Sequence, residues 1–150
     1  RGEQSTIYLA DGAFLLIDES YNASPASTRA ALDVLGTCAG RRIAVLGDML
    51  ELGARATELH AALADNVLRN GVDQVFLAGP RMAALASALD PARVAATAPS
   101  CEALLPAVLD AVGAGDAVMV KGSLGSRMAP VVAALKALDR SVAKRTANGR

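Results

Sequence analysis

Short aliphatic runs alternate with longer Ala/Leu-rich stretches of helical period along nearly the whole chain, and glycine or proline punctuates almost every junction. Few folds accept that alternation. A tight hairpin returns the chain antiparallel, so strands that follow one another through helical crossovers must pair in parallel. Right-handed crossovers then spread the helices over both faces of one mostly parallel, doubly wound sheet. The chain is long enough for this: 150 residues, 53% hydrophobic and 20% charged, bury a core without disulfides or a structural metal.

Thr6–Leu9 and Ala13–Ile17 flank Ala10-Asp11-Gly12, a tight-turn signal, so the chain is expected to open with an antiparallel hairpin. Ser24-Pro25 supplies a cap and a first-turn proline to a helix with apolar positions Ala30, Ala31, Val34 and Leu35, and Gly36 as its stop. Arg42–Leu46, Val75–Ala78 and Ala117–Val120 read as buried strands, and Val94-Ala95 as a short one. Further helices are predicted from about Thr57 to Asn70, over Arg81–Leu89, over Cys101–Val112, and from about Ser126 to Leu138. The domain is expected to occupy 1–139, with 140–150 a polar, basic, disordered tail.

Composition excludes several function classes. Fifteen Lys+Arg balance fifteen Asp+Glu, so the basic excess needed to grip nucleic-acid phosphates is missing. Apolar runs such as Ala13–Ile17 and Ala117–Val120 fall far short of the ~20 residues that span a bilayer. Cys38 and Cys101 stand far apart, with no C-x-x-C and a single histidine in the chain, so they read as reduced apolar residues of a cytoplasmic protein and not as metal ligands. Arg1-Gly2-Glu3-Gln4-Ser5 has neither an initiating Met nor the pattern of a secretory signal, and a further segment is expected to precede it.

In doubly wound sheets ligands bind outside the carboxyl ends of the strands, which directs attention to four loops. Asp18-Glu19-Ser20-Tyr21-Asn22 offers carboxylates, a hydroxyl, an aromatic ring and an amide, suited to a nucleotide's ribose and base; an Asx-turn before a capped helix explains the same letters. Gly47-Asp48-Met49-Leu50-Glu51-Leu52-Gly53 brackets two carboxylates with glycines, where an ordinary left-handed turn is the plainer reading. His60 follows on a helix, where an isolated histidine usually serves packing. Gly79-Pro80-Arg81 adds a cation. Lys121-Gly122-Ser123 combines a cation, backbone amides and a hydroxyl at a helix start, an arrangement suited to a carboxylate or phosphate. No phosphate-loop motif, dinucleotide glycine fingerprint or G-x-S-x-G elbow is present, so the chain lacks an ATP loop and an activated nucleophile of its own. Strand-end acids with Lys121 also allow a receiver-like phospho-acceptor signalling domain, although Gly122 stands where receivers typically carry proline.

Taken together, the motifs of Leu16–Pro25, of Val45–Gly53 with His60, and of Val120–Ser123 resemble the Mur ligase family, specifically its C-terminal domain. The resemblance covers Arg1 to about Leu138. It implies a Rossmann-like, three-layer domain of about six strands with one antiparallel N-terminal strand. It also implies an ATP-dependent amide-forming reaction in the bacterial cytoplasm, in which D-alanyl-D-alanine attacks an acyl phosphate of UDP-N-acetylmuramoyl-tripeptide. A UDP-sugar domain and a central ATPase domain, holding most of the ATP and Mg2+ contacts, would precede this one, which alone would be inactive. By the same resemblance Arg1, Asp18, Tyr21 and Asn22 are expected to face ATP, and Lys121, Gly122, Ser123 and Arg81 the incoming amine. Asp48, Met49, Glu51 and His60 would supply further loop contacts. Ser24 departs from the family's usual asparagine before the proline, and both residues cap helices.

Overall fold

Both faces of the central strands are apolar, so each must be covered, and the helices divide to do so. In the computed structural model, which describes residues 2–141, the strands are β1 (Glu3–Leu9), β2 (Gly12–Glu19), β3 (Arg42–Gly47), β4 (Gln74–Ala78), β5 (Val94–Ala98) and β6 (Ala117–Lys121). The helices are α1 (Pro25–Gly36), α2 (Ala56–Arg69), α3 (Ala83–Ala88), α4 (Cys101–Ala111) and α5 (Ala129–Lys136). The sheet runs β1-β2-β6-β3-β4-β5; β1 pairs antiparallel with β2 and every other pairing is parallel. The doubly wound, mostly parallel sheet with one antiparallel N-terminal strand is the architecture expected.

Alternation along the strands sorts the core into two clusters. Ile17, Ala44, Leu46, Val75, Leu77 and Met119 face α1, α2 and α3 through Leu32, Leu35, Leu63, Val67 and Leu85. Leu16, Ile43, Val45, Phe76, Val118 and Val120 face α4 and α5 through Leu104, Val108, Val131 and Leu135. β6 therefore lies between β2 and β3, whose following helices leave toward one face while its own leaves toward the other. That divergence opens the crevice where α/β sheets bind ligands.

Local chemistry sets the element ends. Ser24 and Ser27 form a reciprocal capping box at α1, with Pro25 in its first turn, and the Ser100 hydroxyl caps α4 by accepting from the Ala103 amide. At the opposite end of the sheet Arg41 grips Asp116 at 3.0 and 2.8 Å, fastening the starts of β3 and β6; the carboxylate holds the guanidinium pKa above its ordinary value. Beyond α5, Tyr8 of β1 donates its amide to Asp139 Oδ1 and accepts from the Arg140 amide.

Several sequence expectations need correction. Ala30 and Val34 are exposed; the buried stripe of α1 is Thr28, Ala31, Leu32 and Leu35, because Thr28 turns its hydroxyl onto Met49 Sδ at 3.6 Å and so occupies an inner position a polar residue was not expected to fill. Gly36 ends α1 as expected, and a Cβ there would strike the Asn70 side chain. α5 starts at Ala129, since a 3-10 turn over Leu124–Ser126 and a left-handed Arg127 (φ 52°) come first. β5 extends to Ala98 through its pairing with β4. Cys38 and Cys101 are both free thiols, and burial pushes the Cys101 thiol pKa up. Arg1 and 142–150, most of the expected tail, lie outside the described residues.

Candidate functional site

The carboxyl ends of β2, β6 and β3 are tied to one another by side chains. Lys121, the last residue of β6, is only 4% exposed; its Nζ donates to the Asn22 carbonyl at 2.8 Å and stands 3.6 Å from Glu19 Oε2. Burial lowers the ammonium pKa and Glu19 works against that shift. Ser123 bridges the loops on both sides: its Oγ accepts from the Leu50 amide at 2.9 Å and donates to the Ala23 carbonyl at 3.3 Å, while its amide donates to the Asp48 carbonyl at 3.1 Å. Ser126 Oγ donates to that same carbonyl at 2.7 Å.

Such interlocking needs close backbone approach, which explains Gly47 and Gly122. A Cβ on Gly122 would lie 2.6 Å from Met128 Cγ and 3.2 Å from Gly47 Cα, and one on Gly47 would lie 2.7 Å from Met128 Sδ. Met128 is wholly buried between them. Gly122→Ala is therefore expected to lower stability by about 1–2 kcal/mol by overpacking, read as a reduced urea midpoint with an unchanged denaturant slope.

At the carboxyl end of β2, the carboxylate of Asp18 accepts at Oδ1 from the Ser20 amide and hydroxyl at 3.0 and 2.6 Å, and Tyr21 Oη stands 3.4 Å from Oδ2. The Asx-turn is thus real, yet it employs chiefly one oxygen and leaves the other toward Tyr21. Tyr21 is 57% exposed and Asn22 is exposed as well. Both line a groove of about 530 Å³ with Glu19 and Lys121 on one side and Ala30 and Val34 of α1 on the other.

The loop after β3 faces mostly inward. Asp48 is 5% exposed, and its oxygens accept from the Met82 amide at 3.0 Å and the Arg81 amide at 3.3 Å, capping the 3-10 turn over Pro80–Met82. A carboxylate so enclosed is not open to phosphorylation, which removes the geometric basis of the receiver-like reading. Met49 and His60 are completely buried; the Met49 amide donates to His60 Nε2 at 3.0 Å. Of the four expected loop contacts only Glu51 is presented to solvent, in a left-handed conformation (φ 63°). Arg81 is exposed on the loop that Asp48 caps. Sequence reasoning carries the loop after β6 through Leu124, Gly125 and Ser126 without separate roles for them; Ser126 binds the Asp48 carbonyl and Leu124 is 77% exposed. Among the described residues no group of three or more His, Cys, Asp or Glu is placed to hold a metal ion, and no helix is long and apolar enough to cross a membrane.

Residues 6–124 match the family described as Mur ligase, glutamate ligase domain. The chain belongs to this family. Among the relatives of this Mur ligase domain, the UDP-N-acetylmuramoyl-tripeptide--D-alanyl-D-alanine ligase of Escherichia coli (strain K12) is 38% identical over 87 residues, 58% of this chain and 19% of that protein. The enzyme of the same name from Bacillus subtilis (strain 168) is 29% identical over 137 residues, 87% of this chain and 30% of that protein. The Mur ligase domain thus spans less than a third of these curated relatives. A crystal structure of MurF from Acinetobacter baumannii superposes with a TM-score of 0.75 at 26% identity, covering 91% of this chain and 30% of that one. MurF from Thermotoga maritima, solved with ADP, shares the fold at a TM-score of 0.73 and 24% identity.

Proposed function

We propose that this Mur ligase domain is the C-terminal part of an ATP-dependent ligase that joins D-alanyl-D-alanine to UDP-N-acetylmuramoyl-tripeptide in the cytoplasm of a bacterium, during peptidoglycan precursor synthesis. The observation that carries the reading is the single locked surface formed by the β2, β3 and β6 loops, within a chain whose full-length relatives bear that enzyme's name. The domain contributes binding and closure. The acyl-phosphate chemistry belongs to the preceding domains, which in this reading hold ATP and Mg2+.

Asp18, Tyr21 and Asn22 face ATP in this proposal: Asp18 is 4% exposed, so its Oδ2 accepts from a ribose hydroxyl in exchange for the 3.4 Å contact with Tyr21 Oη, while Tyr21 lies against the nucleotide and the exposed Asn22 borders the same groove. Arg1, outside the described residues, is assigned to ATP as well. The exposed guanidinium of Arg81 suits the dipeptide carboxylate; Lys121, Gly122 and Ser123 are assigned to the same substrate, with Ser123 linked to the Arg81 loop through Asp48 while Lys121 borders the groove of Tyr21 and Asn22. Buried as they are, Lys121 and Ser123 act more by holding these loops than by reaching out.

Phosphate release from ATP, measured with each substrate omitted in turn, tests the reading. A chain extended at Arg1 through the preceding domains is expected to release phosphate only with both UDP-N-acetylmuramoyl-tripeptide and D-alanyl-D-alanine present, and the 150 residues alone to release none. A folded extended chain that is inactive with this pair would overturn the dipeptide assignment. In the extended enzyme Asp18→Ala is expected to raise the KM for ATP about 5- to 30-fold, or about 1–2 kcal/mol. An unchanged ATP dependence would remove Asp18 from the site.

A further inference from the structure

His60 is the most completely enclosed titratable group near the site, and nothing in the proposed reaction employs it. It lies on α2 with no exposed surface; Nε2 is 3.0 Å from the Met49 amide nitrogen and Nδ1 is 2.6 Å from the Ala56 carbonyl oxygen. An amide donates and a carbonyl accepts, so one neutral tautomer satisfies both contacts: Nδ1–H donates to Ala56 and the Nε2 lone pair accepts from Met49. The opposite tautomer would set N–H against N–H, and an imidazolium has no lone pair to offer Met49.

The segment so held is unusual in how many elements grip it. On one side of Met49, the Asp48 carboxylate takes the amides of Arg81 and Met82, and its carbonyl takes Ser123 and Ser126. On the other side, the Leu50 amide is bound by Ser123. A shift of the backbone at Met49 is thus passed directly to Arg81 and Ser123. The Asp18 side chain, by contrast, bonds to Ser20 and Tyr21, and Ser123 touches the loop after β2 at the Ala23 carbonyl, beyond Tyr21 and Asn22.

We propose that His60 is a positioning residue for the amine-substrate side of the site: by accepting from the Met49 amide it sets the loop that carries Asp48, and through Asp48 and Ser123 it sets the placement of Arg81 and the β6 loop. This rests on the ligase reading given above. A histidine that merely fills space would affect both substrates alike and would not be replaced by a side chain chosen for its acceptor.

Two measurements test the proposal. In the 150-residue chain, long-range ¹⁵N–¹H correlation of the imidazole is expected to show the Nδ1–H tautomer at neutral pH; the Nε2–H tautomer or an imidazolium would overturn the clamp whatever the kinetics. In the extended enzyme, His60→Leu is expected to raise the KM for D-alanyl-D-alanine about tenfold while the KM for ATP moves less than about twofold. His60→Gln, whose amide oxygen reaches the place of Nε2, is expected to recover the dipeptide KM to within roughly threefold of the parent. Equal changes in both KM values, a loss confined to kcat, no change, or failure of a folded glutamine variant to recover would each overturn the positioning role. Should the leucine variant not fold, the glutamine variant and the tautomer decide. A folded parent inactive with this substrate pair would overturn the ligase reading and the substrate half of the inference, while the spectrum still decides the clamp.

Discussion

Replacing Gly79 with alanine is expected to cost the domain about 2–5 kcal/mol of stability. Two independent penalties combine there. Gly79 has φ 107° and ψ 155°, a region that residues with a Cβ scarcely enter. A Cβ would also lie 2.5 Å from Asp48 Cγ, so the carboxylate would be pushed from the amides of Arg81 and Met82 that it caps. Gly53→Ala is the control, since Gly53 has φ 65° with nothing within 4 Å of its Cβ position. Urea denaturation is expected to rank Gly79→Ala well below Gly53→Ala. In an Asp48→Ala background the cost of Gly79→Ala should shrink to the conformational part, a coupling that a double-mutant cycle reads directly. Equal losses for Gly79→Ala in the two backgrounds would mean that the carboxylate does not sit against Gly79.

Lys121→Ala is expected to cost about 2–4 kcal/mol, because truncation leaves a void and takes the donor from the Asn22 carbonyl. Lys121→Met fills the void and should cost about half as much. The two substitutions also differ from the parent in their response to alkali. Burial holds the Lys121 ammonium below its ordinary value of 10.5, so the folded chain binds fewer protons there than the unfolded chain between that lowered value and 10.5. Stability contributed at this site therefore rises with pH across that window. The parent is expected to gain on Lys121→Met between pH 7 and about 10.5 when the difference in unfolding free energy is followed. A flat difference would place the ammonium in a more solvated setting, and a falling one would mean that Glu19 outweighs burial.

The strand-helix alternation was legible because both faces of β3, β4 and β6 are buried, so that nearly every residue of those strands is apolar. The convergence of the strand-end loops was legible for a topological reason, since parallel strands deliver their carboxyl ends to one side. What the letters concealed is which polar groups are already spent. Asp48 and Lys121 read as an available acid and cation, yet Asp48 caps a turn some thirty residues away and Lys121 holds a carbonyl of the β2 loop. Those partners are backbone atoms, identical at every residue and therefore invisible in a sequence. His60 is the same case in reverse: an isolated helical histidine reads as packing, and its specific role appears only once the Met49 amide is seen beside it. The shift of the buried stripe of α1 toward Thr28 has a related cause, a hydroxyl that found a sulfur partner in the core.

Asp139 and Arg140, just beyond α5, bind the amide and the carbonyl of Tyr8 near the carboxyl end of β1, one of the two outer strands of the sheet. An outer strand normally presents an unbroken row of such groups, to which an extended segment of another molecule can add itself. Here the row is closed near its carboxyl end, at Tyr8, by the chain's own backbone and a carboxylate. The short segment beyond α5 thus shortens the run of β1 backbone to which another extended chain could add itself.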